Sequence, residues 1–162
     1  MKELPHSKSC FVCGSRNSLG LNLRFFTDGR IVEAHFTPRA EHNGFVGVLH
    51  GGITATVLDE VMVWACAVRE KRFCFSAEMT IRYLCAIETG AEILARGEML
   101  ENKRDRIFIA KGELLNSAGT ILASSTGKYV PIRALDPSAL WADFEGTPEQ
   151  IRDFLPLSDI GR

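Results

Sequence analysis

Along the chain, the clearest pattern is a block from Ile53 to Val68 in which almost every residue is apolar or small. Apolar residues recur around most of the helical circumference rather than on one stripe, so the block predicts a helix wrapped by other structure. Before it, Leu21–Thr27 and Arg30–Thr37 read as two short strands joined at Asp28-Gly29, a dipeptide suited to a type I′ hairpin turn. Pro38 to Leu49, with Gly44 and Gly47, lacks periodicity and reads as a loop feeding the helix. After the helix, Phe73, Phe75, Ala77, Met79, Ile81 and Tyr83 alternate with Cys74, Ser76, Glu78, Thr80, Arg82 and Leu84, the period of a long half-buried strand. Three further runs, Glu92–Leu100, Arg106–Leu115 and Thr120–Val130, are divided by turn signals at Glu101–Asp105 and Asn116–Gly119 and complete an antiparallel meander. Two strands, one buried helix and four strands predict an α+β fold in which one antiparallel sheet curls around a central helix and leaves one face open to a partner. Beyond Pro131, Thr147-Pro148-Glu149-Gln150 carries a capping box with proline at the first helical position, predicting a short helix to about Phe154. The expected division is a main domain over 1–131 and an extension, 132–162, packing on it.

The helix contains two acids, Asp59 and Glu60, and neither has a lysine or arginine three or four residues away. A carboxylate buried without a cation gains basicity, which suits a general base or nucleophile. His50-Gly51-Gly52 stands where the helix begins, and its N–H groups form an anion-binding end for a developing oxyanion. Gly51 and Asp59 are eight residues apart, about 12 Å along a helix axis, too far to serve one reacting group. Two helices antiparallel across a two-fold axis would bring Gly51 of one subunit beside Asp59 of the other, giving a dimer with composite sites.

Net charge near zero, with basic residues scattered among acids, argues against a nucleic-acid surface. The start of the chain lacks an apolar signal region, and no apolar run approaches the roughly 18 residues of a membrane span, so a cytoplasmic protein without a membrane partner is expected. Five cysteines, three inside apolar segments, fit reduced thiols. Cys10-Phe11-Val12-Cys13-Gly14 is half of a zinc-ribbon pattern, and its second half is missing. His6 and His42 are possible additional ligands, but the expectation is a packed turn, with no metal and no cofactor.

The strand pair, the His50-Gly51-Gly52 helix with Asp59 nine positions after the histidine, and the strand Ser76-Ala77-Glu78-Met79-Thr80-Ile81-Arg82-Tyr83 together resemble the hotdog-fold acyl-CoA thioesterases similar to the phenylacetic-acid-pathway (PaaI-like) family. The resemblance covers roughly residues 10 to 131. Cys10–Gly14 with Gly20-Leu21 is similar to a subset of uncharacterised members. The sequence departs from the family in the loop, where Gly44 stands six residues before the histidine in place of a frequent Asn and Asn43 lies one earlier, and at Leu84-Cys85-Ala86, where proline is common. The resemblance implies thioester hydrolysis to a free acid and coenzyme A, the latter part of the substrate, with Asp59 as general base or nucleophile and Gly51 as oxyanion donor in a homodimer or dimer of dimers. His50 and Ser76 are the further catalytic candidates; Asn43, Gly52, Glu60, Trp64 and Arg104 are those for substrate binding. Lys103, Arg104 and Arg106, and behind them Arg69, Lys71 and Arg72, are candidates to meet the coenzyme A phosphates, with charges on solvated turns as the stronger reading of each. The alternative is a non-catalytic acyl-CoA binding or sensing module.

Overall fold

A computed structural model describes residues 1–132, 142–147 and 149–150. In chain order the elements are β1 (Lys2–Glu3), β2 (His6–Ser7), β3 (Phe26–Thr27), β4 (Ile31–Phe36), a 3-10 turn (Ala40–His42), β5 (Asn43–Phe45), β6 (Val48–Leu49), α1 (Gly51–Glu70), β7 (Cys74–Tyr83), β8 (Ile93–Lys103), β9 (Ile107–Asn116), β10 (Ile121–Pro131) and β11 (Phe144–Glu145). Seven strands form one antiparallel sheet in the order β1-β3-β4-β8-β9-β10-β7, with α1 against it. The expected α+β architecture, a sheet around one long helix, is present.

The helix extends beyond the expected block at both ends. His50 caps its start with extended backbone and an Nδ1 that accepts the Gly52 N–H at 2.8 Å, and Lys71 ends it in the left-handed region at φ 54°. Its 20 residues reach the length and mean hydropathy, 1.4, of a membrane-crossing helix, which corrects the expectation that no segment does. What covers them here is protein: Val57, Leu58, Val61, Met62 and Ala65 are fully buried against the sheet. Two glycines paired across the sheet, Gly97 on β8 and Gly112 on β9, permit that approach. A Cβ on Gly97 would lie 2.4 Å from the Val61 carbonyl oxygen.

Three details differ from the sequence pattern. The hairpin between β3 and β4 is not closed by a type I′ turn: Gly29 has positive φ but Asp28 does not, and the Asp28 carboxylate instead accepts the Arg30 and Ile31 N–H groups at 2.8 and 2.9 Å. The meander holds for β8, β9 and β10, while β7 crosses over to pair with β10 at the sheet edge. Finally, β7 does not alternate continuously. Lys128 pairs with Glu78 and Tyr129 with Ser76, so Ala77 is an extra residue, a β-bulge that reverses the facing pattern. Met79 and Ile81 pack on the core as expected, but Phe75, upstream of the bulge, is 63% exposed.

Near the termini, β2 pairs with β11, and Ser7, Ser9 and Lys8 hydrogen-bond to the Ala142–Asp143 segment. Thr147 and Gln150 form the reciprocal capping box, the Thr147 N–H donating to Gln150 Oε1 and the Gln150 N–H to Thr147 Oγ1. The expected helix to Phe154 lies largely outside the described residues.

Candidate active site

The bulge in β7 decides which side chains meet the helix acid. It turns Ser76 toward α1, where its hydroxyl donates to Asp59 Oδ1 at 2.5 Å, and sets Tyr129 opposite, where the phenol donates to the same oxygen at 3.3 Å. Tyr129 is completely buried, and burial followed by the Asp59 charge pushes its phenol pKa up, which keeps it a donor. Its ring fills the space over Gly127, where a Cβ would lie 2.6 Å from the ring. Tyr129 went unrecognised in the sequence because it reads there as an ordinary strand aromatic.

Asp59 is half-buried and holds two hydroxyl donors, so it is not the isolated, desolvated carboxylate that its apolar neighbours suggested. Both donors fix one oxygen, Oδ1, and so orient the carboxylate. An oriented carboxylate of this kind can take a proton from water or attack an acyl carbon.

The start of α1 forms the second part. With Gly52 committed to His50, Gly52 is not an available anion donor, whereas among the described residues no hydrogen bond engages the Gly51 N–H. Because His50 Nδ1 accepts, its ring proton sits on Nε2, which assigns His50 a capping and orienting role. Tyr83 at the far end of β7 donates its hydroxyl to the Gly51 carbonyl at 3.1 Å and shelves the ring beside it. A cleft of about 480 Å³ opens here, lined by Phe45, His50, Gly51, Tyr83, Leu84 and Ile87 among others. Gly44 packs against His50 with no room to spare, a Cβ falling 3.1 Å from its Cα. Asn43, one residue earlier, begins β5 on the exposed side of the same loop.

Other candidates lie elsewhere. Trp64 is a core residue, 2% exposed and packed on Phe25, Phe73 and Phe144, not a cleft wall. Glu60, one residue after Asp59, points away from it: its Oε1 accepts from the Trp64 indole at 3.1 Å and the Cys10 thiol at 3.6 Å. Burial first, then the charge at Cys10, pushes its pKa up to about 8, so Glu60 is the acid that carries the raised basicity. Hydrogen bonding from Cys13 lowers the Cys10 thiol to about 6, and the same bond together with burial raises Cys13. Arg104 sits in the β8–β9 turn, next to the end of β8 where Asn102 bonds Glu70 at the opposite end of α1 from Gly51. His6 pairs with Glu145, and His42 ends the 3-10 turn with its ring beside Phe36, so neither joins Cys10 and Cys13.

Residues 46–110, from the loop to the first residues of β9, match the thioesterase superfamily model. The chain carries the hotdog fold of that superfamily. Human acyl-coenzyme A thioesterase 13 is 27% identical over 84 residues, which is 51% of this chain and 60% of that protein. The hotdog domain thus matches less than two thirds of its curated relative's length. Zebrafish thioesterase superfamily member 2 superposes with a TM-score of 0.64 at 25% identity, over 72% of this chain and 89% of that one. The E. coli PaaI protein from the phenylacetic acid degradation operon does so with a TM-score of 0.64 at 18% identity, over 70% and 82%. Cys10–Gly14 and β11 lie outside the segment matched by the family model.

Proposed function

We propose that this protein hydrolyses an acyl-CoA thioester to the free acid and coenzyme A, with Asp59 as general base for water or as nucleophile. The observation that carries the reading is Asp59 held by Ser76 and Tyr129 on the same helix whose first N–H, at Gly51, is open to an anion. The relatives' thioesterase names supply the substrate class.

In one chain these two parts are about 12 Å apart along α1. The reading therefore includes a homodimer in which Gly51 of one subunit polarises the carbonyl that Asp59 of the other activates water against, with a dimer of dimers as a further level. Supporting it, β7 is a ten-residue edge strand with Phe75, Tyr83 and Leu84 on its exposed side or just beyond it, an edge that is costly to leave open. Five free cysteines suit the reducing cytoplasm.

The test is thiol release from a panel of acyl-CoAs by the purified chain. Asp59→Asn, which keeps both hydroxyl partners, is expected to lower turnover by about a hundredfold or more. Unchanged turnover would remove Asp59 from the chemistry, and saturable acyl-CoA binding without hydrolysis by the unaltered protein would replace catalysis with a binding function.

A further inference from the structure

Glu60 lies 47 residues beyond the Cys10–Cys13 turn, yet the three converge: their two Sγ atoms and one carboxylate oxygen all lie within 4.8 Å of one another. We propose that they bind a divalent ion of the zinc class, fastening the N-terminal loop to α1 at a site distinct from Asp59. The thioesterase reading leaves this cluster unused. Asp59 and Glu60 are neighbours on a helix that turns about 100° per residue, so one carboxylate meets Ser76 and Tyr129 while the other meets the cysteines.

Three features make the cluster a built site. First, the loop holds both sulfurs. The Gly14 N–H donates to the Cys10 carbonyl at 2.9 Å, the Val12 N–H to Cys10 Sγ at 3.2 Å and the Ser7 N–H to Cys13 Sγ at 3.4 Å. Such N–H donors stabilise thiolate charge, and the loop closes so tightly that a Cβ on Gly14 would fall 2.2 Å from the Cys10 oxygen. Second, the third donor is oriented from outside the site, since the Trp64 indole holds Glu60 Oε1. Third, the spacing fits. Zn–S near 2.3 Å and Zn–O near 2.1 Å at a tetrahedral angle separate sulfur from oxygen by about 3.6 Å, and Cys10 Sγ lies 3.6 Å from Glu60 Oε1. Two thiolates select a borderline-soft ion over magnesium or calcium. Water completes four-coordination. Any proton still carried by the two sulfurs or the carboxyl passes to buffer on binding, with no change of oxidation state.

The experiment uses the full chain, reduced and stripped with chelator, then titrated with Zn²⁺ against a chromophoric chelator and separately with Co²⁺. One equivalent should bind, and the cobalt form should show a thiolate-to-metal charge-transfer band with tetrahedral ligand-field intensity. Cys10→Ser and Cys13→Ser should each diminish the band, which separates this cluster from Cys66, Cys74 and Cys85. Glu60→Gln keeps an acceptor for Trp64 and should weaken zinc binding more than about a hundredfold, and Trp64→Phe about tenfold. Absence of binding, or one equivalent bound equally well by Cys10→Ser and Glu60→Gln, overturns the proposal. So does a reduced protein that takes no metal but closes a Cys10–Cys13 disulfide in air. The cobalt spectrum of the unaltered chain decides the outcome even if a cysteine variant fails to fold.

Discussion

Replacing Gly97 by Ala adds one methyl group where α1 lies closest to the sheet. Its Cβ would meet the Val61 carbonyl oxygen at 2.4 Å and carbon at 2.8 Å, roughly 1 Å inside ordinary contact. The obstacle is helix backbone, which no side-chain rotation can move aside. Overpacking costs about 1–3 kcal/mol, and the entropy removed from the unfolded chain by Gly→Ala returns about 0.4–1 kcal/mol. With backbone as the obstacle, the upper part of the range applies, a net loss of about 2 kcal/mol. For a domain of this size the melting midpoint should fall by about 4–8 °C. Gly112→Ala is the control on the neighbouring strand. There a Cβ meets only the flexible ends of Met62 and Leu58, at 3.1 and 3.2 Å, so its effect should stay within about 1 kcal/mol. The assay is urea denaturation of both variants beside the parent, with thermal melting as a second probe. Because Asp59 is two residues from Val61, lifting the helix also stretches its bond to Ser76, and thioester turnover of Gly97→Ala should fall more than stability alone explains. If Gly97→Ala is no less stable than Gly112→Ala, the reasoning fails.

Three further outcomes are expected. Tyr129→Phe removes a buried hydroxyl from Asp59 and should cost about 1–2 kcal/mol in urea denaturation while lowering kcat with little change in KM; an intact kcat would confine Tyr129 to packing. Gly51→Pro deletes the proposed oxyanion donor at the first helical position, where proline is tolerated and the extended His50 backbone already suits a following proline. The variant should fold and lose hydrolysis, and mixing it with Asp59→Asn should restore activity through heterodimers carrying one intact site; no recovery after verified subunit exchange counts against composite sites. His42 is 8% exposed, and burial lowers its pKa below the ordinary 6.5, so the folded state binds its proton less readily than the unfolded chain. Its contribution to stability is therefore present above pH 6.5 and lost as pH falls below that value. His42→Gln should flatten the acid-side decline in a pH series of denaturation midpoints, and an identical slope would show that other groups set it.

The helix was legible because a block apolar on nearly every side has one physical solution, enclosure. The last three strands were legible because asparagine, aspartate and glycine separate them. The β7 bulge was not: Phe73 to Tyr83 alternates continuously in sequence, and only the pairing of Tyr129 with Ser76 and Lys128 with Glu78 reveals the extra residue. Tyr129 alternates regularly along β10 as an inward aromatic, and nothing in that pattern marks it as a partner of Asp59. The two helix acids were legible as unusual, but their division of labour depends on helical phase relative to two different neighbours, the β7–β10 edge for Asp59 and the Cys10 loop for Glu60. The half zinc-ribbon looked incomplete because its third donor comes from 47 residues beyond Cys13, across the fold.

The short β2–β11 ladder ties residues 6–7 to residues 144–145, outside the segment that matches the superfamily. Each strand is the hydrogen-bonding complement of the other, so neither can be trimmed alone without exposing an unpaired backbone edge beside the Cys10 loop. Any shortened version designed around the shared core has to delete both segments or retain both. The two segments are in this sense one structural unit, and a substitution that loosens one should release the other as well.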